Sequence, residues 1–300
     1  MLPKTVVRSP LAGGRGIPGS QASPDGRSRF QGMFQGSFVS TTLALLLCLA
    51  TPGVPAERGG KPAESQPALA DLVDELQQEL GHRSVDETHA KQLVERLAAE
   101  FTVCGTKDRA PIVRVIERCL AAKRQGKPET ELVCHAARAL AGMAPESLPV
   151  LVRALENKPL LKDKEIGRTL VLALGKTRDK AAVKPLLEVL DSDDDGLVAA
   201  AGEALGEHEG APLATRKQLF EEVLKALMQA KDQMDAQTQG ALDPNSPHDD
   251  AAARRYDTIQ AALGTTLQRL SKQEARSAES WQRWWNKNKR ANWDDKSKLG

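Results

Sequence analysis

The sequence predicts an all-α fold, a right-handed α-solenoid of stacked helix pairs that is closed by a C-terminal helical cap. The main observation is an internal repeat, because the apolar stretch at 147–155 returns in similar form at 182–190. A stretch rich in alanine or leucine that ends in glycine lies beside them, at 134–142, 167–175 and 197–206. Helix pairs that recur roughly every 20 to 45 residues build solenoids, in which each pair buries its apolar face only against its neighbours.

The second helix of each repeat has the spacing of an amphipathic helix. Apolar side chains recur at i, i+3, i+4 and i+7, at Leu148, Leu151, Val152 and Leu155 and again at Val183, Leu186, Leu187 and Leu190. This spacing predicts one buried face for each helix. Pro149 and Pro185 fall in the first turn, where proline loses no hydrogen bond. Gly142, Gly175 and Gly206 are predicted to end helices in the left-handed conformation that glycine tolerates.

The stretch 173–206 carries the motifs of a known repeat. Ala-Leu-Gly at 173–175 ends one helix, Val-Lys-Pro-Leu-Leu at 183–187 begins the next, an aspartate-rich turn follows at 191–195, and Ala-Leu-Gly returns at 204–206. These motifs resemble those of HEAT repeats, although the arginine and aspartate common inside that family's repeats are only partly present. The resemblance implies an armadillo-like α-solenoid that acts as a protein-binding scaffold.

Amphipathic patterns on both sides of the repeats predict further helices that close the stack. The resulting division of the mature chain is N-terminal capping helices at 68–108, HEAT-like repeats at 109–236, a polar loop at 237–250, and a C-terminal helix with a Trp-rich tail at 251–300.

The N-terminal part of the chain is predicted to lie outside the solenoid. Residues 1–56 read as a disordered leader that contains a signal peptide, and 57–67 as a linker. The apolar stretch 38–51 is shorter than the roughly 20 residues that a transmembrane helix needs. Small residues at 54–56 fit the site that a signal peptidase recognises. We therefore expect export to the periplasm or the extracellular space.

Cleavage is expected after Ala56. An uncleaved signal that anchors the chain in the membrane is one alternative, and lipidation of Cys48 is another, although Leu47 is too large for the position before a lipidated cysteine. In all three cases the body of the protein would lie outside the cytoplasm. No membrane span is predicted in the mature chain.

The charge of the mature chain argues against one class of partner. The full chain has a formal net charge of +2, and the leader holds five of its basic residues and one of its acidic residues. The remainder is therefore close to neutral. Binding to nucleic acid needs a strongly positive surface, so nucleic acid is excluded as a general partner.

Three cysteines remain after the leader, at Cys104, Cys119 and Cys134. Cys119 lies near the end of one predicted helix and Cys134 near the start of the next, so antiparallel packing would bring them together. In an oxidising compartment this favours a Cys119–Cys134 disulfide. The alternative is that all three are small buried apolar residues.

The aspartate-rich turn at 191–195 imitates part of an EF-hand calcium loop. Asp191, Asp193 and Asp195 match the first, third and fifth positions of the loop, but Gly202 stands where the bidentate glutamate is needed. The alternative is a turn between repeats whose aspartates cap the next helix. We expect the turn, without a metal ion or a cofactor.

All four tryptophans lie in the stretch 281–293. Trp281, Trp284 and Trp285 follow i, i+3 and i+4, so one helix face carries three indoles, and Trp293 comes shortly after. We expect this segment to fold back over the last helix pair and cover its apolar surface. The alternative is an exposed binding face for a sugar ring, a partner or the cell envelope.

The sequence contains no recognisable catalytic arrangement. Its five histidines lack metal-ligand spacing, and no nucleophile elbow is present. The leading hypothesis is an exported, non-enzymatic scaffold that binds a protein or peptide along the solenoid surface. The first alternative is a glycan- or envelope-binding module that uses the tryptophans. The second is a lyase, because HEAT-like repeats also occur in bilin lyases, a resemblance of fold alone.

Overall fold

The structure is a computed structural model. It describes residues 68–82, 85–124, 127–240, 250–274 and 276–295. These residues belong to one compact unit that spans 62–300. The predicted leader, signal peptide and linker, and most of the predicted loop, lie outside the described residues.

Three helices begin the described part of the chain, namely α1 (Leu69–Gly81), α2 (Glu87–Val103) and α3 (Thr106–Cys119). Helix α1 buries Leu72 and Leu76. Asp86 caps α2, because its carboxylate accepts hydrogen bonds from the backbone N–H groups of Thr88 at 3.0 Å and His89 at 3.2 Å. Such a cap satisfies donors that the first helical turn leaves free.

The repeat region follows with seven described α-helices, two short 3-10 helices (Lys180–Ala182 and Glu207–Gly210) and one short hairpin. The hairpin joins β1 (Lys123–Arg124) to β2 (Lys127–Pro128) in an antiparallel pair, and it links α3 to α4. The helices are α4 (Thr130–Ala141), α5 (Leu148–Glu156), α6 (Lys158–Leu161), α7 (Lys164–Lys176), α8 (Val183–Leu190), α9 (Asp195–Gly206) and α10 (Leu213–Gly240). Apart from this hairpin, the described elements are all helical, so the predicted all-α class is confirmed.

Two helices complete the described chain, α11 (Ala251–Ser271) and α12 (Ala278–Asn288). Helix α10 continues to Gly240, into the range predicted as loop. Lys272, directly after α11, closes that helix with a left-handed conformation (φ 58°).

The helices form two layers. Layer A consists of α2, α4, α7, α9 and α11, each in contact with the next. Layer B consists of α1, α3, α5, α8 and α10, and each of these packs on the layer A helix that follows it in the sequence. Successive pairs therefore cover one another's apolar faces, and the structure is the predicted solenoid of HEAT-like helix pairs.

Small residues set the spacing of layer A. A Cβ atom at Gly175 would lie 2.5 Å from the Cβ of Ala204, and one at Gly202 would overlap the side chain of Leu263. Both glycines lie inside helices, so they are required for close approach of α7 to α9 and of α9 to α11. The prediction that Gly142, Gly175 and Gly206 adopt left-handed conformations is wrong, because none of them has a positive φ.

Polar contacts tie each helix pair to the next. Asp163 caps α7 through the backbone N–H groups of Glu165 and Ile166, and its other oxygen accepts a 2.7 Å hydrogen bond from Thr130 at the start of α4. Ion pairs also join neighbouring helices of the same layer. They are Lys91–Glu131 (2.7 Å), Arg153–Glu117 (2.8 Å) and Arg168–Glu203 (3.0 Å). A polar ladder is therefore present although the family's usual residues are incomplete.

Candidate interaction groove

Layer B opens between α8 and α10. The two helices contact each other only sparsely, and the space between them is a groove of about 470 Å³, which we call the α8–α10 groove. One end is lined by the turn after α8 together with Arg255 of α11.

The floor of the α8–α10 groove is apolar. Leu190, Val198 and Ile259 lie buried beneath it, whereas Leu187 and Ala226 are only half-buried and face the open space. Leu186 and Leu190 lie in the centre of the buried face of α8, and Leu187 lies at its edge. An apolar floor that is partly in contact with water favours an apolar ligand.

The walls of the groove are polar and carry both signs of charge. On α8, Lys184 and Glu188 lie 3.9 Å apart with side chains 88% and 67% exposed. On α10, Lys225 and Glu222 form a similar pair at 3.7 Å. Exposed pairs of this kind contribute little to stability, so these side chains are available for other contacts.

The end of the groove beside the turn after α8 carries acidic side chains. Asp191 and Asp193 are both exposed there. The neighbouring Arg255 is engaged by the turn itself, because its guanidinium donates to the carbonyl oxygen of Ser192 at 3.1 Å and to Oδ1 of Asp195 at 2.6 Å. The sequence did not single out Arg255, since it lies on α11, far along the chain from the turn that it supports.

Two aspartates of this turn have partners within the protein. No three acidic, histidine or cysteine side chains among the described residues are placed to hold a metal ion. Asp195 pairs with Arg255, and Asp194, which was not a predicted ligand, caps α9 by accepting from the backbone N–H of Leu197 at 3.0 Å. The positive group that pairs with Asp195 is therefore the guanidinium of Arg255, on the adjoining helix α11.

A comparison with protein families agrees with the fold. Residues 119–206 match the family model described as HEAT repeats. This stretch of the chain consists of HEAT repeats. The match extends from the end of α3 to the end of α9, so the α8 wall of the groove lies within the HEAT repeats and the α10 wall just beyond them. No curated protein and no solved structure matches the chain.

The last helix pair beyond the matched HEAT repeats is closed by the segment 278–295, here called the Trp cap. All four tryptophans are buried, with Trp281 fully inaccessible and Trp285 the most exposed at 8%. Their rings surround Phe220 of α10, with ring centroids 5.3 to 5.7 Å from its own. Phe220 gave no signal in the sequence beyond an apolar position in a helix.

The tryptophans therefore do not form a binding face. Stacking on a sugar ring requires an exposed indole face, and the described residues offer none at Trp281, Trp284, Trp285 or Trp293. The alternative of an exposed binding face is therefore wrong, because the tryptophans cover the apolar side of α10 at the end of the stack, and this burial stabilises the fold.

A buried arginine holds the Trp cap in place. Arg216, near the start of α10, is only 2% exposed. Its guanidinium donates to the carbonyl oxygen of Leu270 at 3.1 Å and to Oδ1 of Asp294 at 2.6 Å. The adjacent Lys217 donates to the carbonyl oxygen of Ala291 at 2.7 Å. The clamp joins α10, α11 and the end of the cap.

The predicted Cys119–Cys134 disulfide is not formed. Cys104, Cys119 and Cys134 are all free. The Sγ atom of Cys119 lies 4.0 Å from the Val115 carbonyl oxygen of its own helix, and burial raises the pKa of its thiol to about 12. Burial also raises the pKa of Cys134, so both side chains are neutral thiols inside the HEAT repeats.

None of the helices in the described residues has both the length and the apolar character that crossing a membrane requires.

Proposed function

We propose that this protein is an exported, non-catalytic scaffold that binds a protein or peptide partner along its solenoid surface. HEAT repeats generally mediate protein interaction, and proteins built from them are typically non-catalytic. The observation that carries the proposal is the α8–α10 groove. Its volume of about 470 Å³ falls in the range of ligand clefts, about 300 to 1,000 Å³.

The groove combines an apolar floor with polar walls, as binding sites commonly do. Its half-exposed floor residues, Leu187 and Ala226, offer apolar area to a ligand side chain. Its polar walls supply groups that orient a ligand and exclude wrong ones. A helix pair that served only for stability would gain by closing this gap, since packing α8 on α10 would bury more apolar surface.

The experiment is site-specific photo-cross-linking in the host, with the full chain. A photoreactive amino acid replaces Lys184 on the groove wall, and a matched variant carries it in place of Lys176, an exposed lysine outside the groove. A specific protein adduct at the first position alone is expected, identified by mass spectrometry.

The same adduct must also depend on the groove floor. Ala226→Glu places a charge on the floor from a half-buried helical position and should abolish the adduct. Ala214→Glu, at an exposed position in the first turn of the same helix, should leave it intact. An adduct that survives Ala226→Glu, or that forms equally at both lysine positions, would contradict the proposal.

Export is part of the proposal and depends on the leader at 1–56. The support is the short apolar stretch 38–51 followed by small residues at 54–56. Sequencing the N-terminus of the protein recovered from an extracytoplasmic fraction should place the first residue at Glu57. Recovery of the intact leader on a cytoplasmic protein would contradict it.

A further inference from the structure

We infer that copies of this chain associate head to tail, with the acidic outer face of α1 in one copy against the basic outer face of α12 in the next. Helix α1 begins layer B, and α12 packs on α10, the last helix of that layer, so the two faces lie at opposite ends of the solenoid. Neither helix lines the α8–α10 groove, and the contact is therefore independent of partner binding there. The basis of the inference is charge complementarity between two surfaces of the same molecule.

The outer face of α1 is acidic. This helix holds four carboxylates and neither lysine nor arginine. The side opposite its buried leucines carries residues spaced i, i+3, i+4 and i+7, which share one helix face. They are Asp71, Asp74, Glu75 and Gln78. Among the described residues no cationic side chain pairs with Asp71 or Asp74, although the neighbouring helix α3 carries arginines, and Glu75 contacts only His89, at 3.2 Å.

The outer face of α12 is basic. Its inner side carries buried tryptophans of the Trp cap, and its exposed side carries Arg283 and Lys287, one helical turn apart. Two further exposed cations, Lys289 and Arg290, follow the end of the helix. Within the part of the chain that the structure describes, none of these four side chains pairs with a carboxylate, and Arg283 donates to the hydroxyl of Ser280 at 3.0 Å.

Two carboxylates of the Trp cap are engaged inside the protein. Glu279 pairs with Lys231 of α10 at 3.0 Å, and Asp294 pairs with Arg216 at 2.6 Å. These ion pairs hold the cap on α10. They therefore leave the cations of the outer face without compensation from these two carboxylates.

Exposed carboxylates of α10 lie to one side of the basic face. Glu221 and Asp232 line a cleft together with Gln282 of α12. Gln282 and Arg283 are neighbours in a helix, so their side chains point about 100° apart. The acidic cleft therefore flanks the basic face and does not cover it.

Solubility alone does not require opposite charges at the two ends. The terminal pairs of a solenoid need polar outer faces, and a mixture of both charges on each end meets that need. Here the face at one end carries carboxylates and the face at the other end carries cations. End-to-end contact between copies brings these charges together. Because the two surfaces differ, the contact is heterologous and leads to open chains or rings of copies.

The contact should be weak and sensitive to salt, since exposed ion pairs contribute little each and are screened. Analytical ultracentrifugation of the purified full chain measures its average mass. At about 0.01 M salt, where the Debye length is about 30 Å, we expect the mass to rise with protein concentration. At about 1 M salt, where that length is about 3 Å, the mass should return to that of the monomer.

Charge reversal tests whether these two faces meet. Asp74→Lys/Glu75→Lys reverses the acidic face, and Arg283→Glu/Lys287→Glu reverses the basic face. Each variant alone should associate about tenfold more weakly than the wild type. An equimolar mixture of the two should recover the association, because the reversed acidic face of one variant matches the reversed basic face of the other.

A matched control separates the faces from net charge. Glu156→Lys/Asp257→Lys makes the same change of charge as the α1 variant, at exposed positions of α5 and α11, and should associate as the wild type does. All variants keep the same leader, so their differences report on the substituted faces. Circular dichroism should show equal helix content in each.

Three results would contradict head-to-tail contact: a wild type that stays monomeric at low salt, association that survives both reversals, or a mixture that does not recover it. Binding of monomeric wild type to vesicles that contain phosphatidylglycerol, lost in Arg283→Glu/Lys287→Glu, would also contradict it. The basic face would then serve an anionic lipid surface. None of these results bears on the cross-link at Lys184, so the proposed function is tested separately.

Discussion

At the scale of the single residue, His208 has a specific consequence for stability in acid. It is 5% exposed, and its Nε2 atom has no hydrogen-bond partner. Burial lowers the pKa of its imidazole, against the opposing attraction of Glu207. The unfolded chain therefore binds a proton at this residue more tightly than the folded chain does. The contribution of His208 to the free energy of unfolding is constant above about pH 6.5. It becomes destabilising as the pH falls from there to the lowered pKa of the folded state.

We expect His208→Gln to lose less stability than the wild type between pH 7 and pH 5, because the variant cannot take up that proton. Urea denaturation at each pH measures the free energy of unfolding. His82→Gln, at an exposed histidine, should follow the wild type. Equal losses in the wild type and in His208→Gln would show that His208 does not couple folding to pH.

Arg216 is the residue on which the Trp cap depends most directly. Arg216→Ala removes hydrogen bonds from a buried guanidinium to Asp294 and to the Leu270 carbonyl. We expect a loss of about 2–3 kcal/mol in the free energy of unfolding, measured by chemical denaturation. The comparison is Arg153→Ala, whose ion pair with Glu117 is largely exposed and should contribute at most about 1 kcal/mol. Similar small losses in both variants would contradict the clamp.

At the scale of the element, two glycines of layer A should respond in opposite directions to the same substitution. Gly175→Ala forces a methyl group against Ala204 of α9 and should destabilise the protein by about 1–3 kcal/mol. Gly264→Ala, inside α11 with open space around the new methyl, should stabilise it by roughly 0.5–1 kcal/mol. Thermal denaturation of the two variants tests the helix spacing, and changes of the same sign would contradict it.

The Trp cap is an element whose burial can be measured directly. The native protein should show tryptophan emission that iodide quenches only weakly, because all four indoles are covered. Phe220→Ala removes the ring that they surround and should cost about 3–5 kcal/mol. It should also shift the emission to longer wavelength and increase quenching. Strong quenching of the wild type would mean that the cap does not cover α10.

At the scale of the whole molecule, stability is shared between neighbouring helix pairs. Leu186 of α8 is fully buried, so Leu186→Asp introduces a charge without a partner into the core. Hydrogen exchange should show lost protection in α8 and in the adjoining α7 and α9, with a smaller effect in α1 and α2. Uniform loss along all described helices would indicate a single cooperative unit instead of a stack.

How much of the structure could be predicted from the sequence differs from one region of the chain to another. The helix pairs around Leu148–Leu155 and Val183–Leu190 could be predicted from local spacing. The apolar residues that bury one face of each helix recur at helical intervals within the sequence. The role of Gly175 could not be predicted in this way, since it depends on how closely α9 of the next helix pair approaches. Phe220, Arg216 and Arg255 were missed for the same reason, because each acts on residues far along the chain.

The sequence by itself determined the all-α class, the repeat and the Trp-rich closing segment, because periodicity within one helix and recurrence of that helix are local properties. Only the tertiary structure decided which surfaces are free. It buried the tryptophans, placed Arg255 beside the aspartate turn and left the groove open between α8 and α10. Exposure depends on which neighbouring element lies against a side chain, and spacing within one helix does not contain that information.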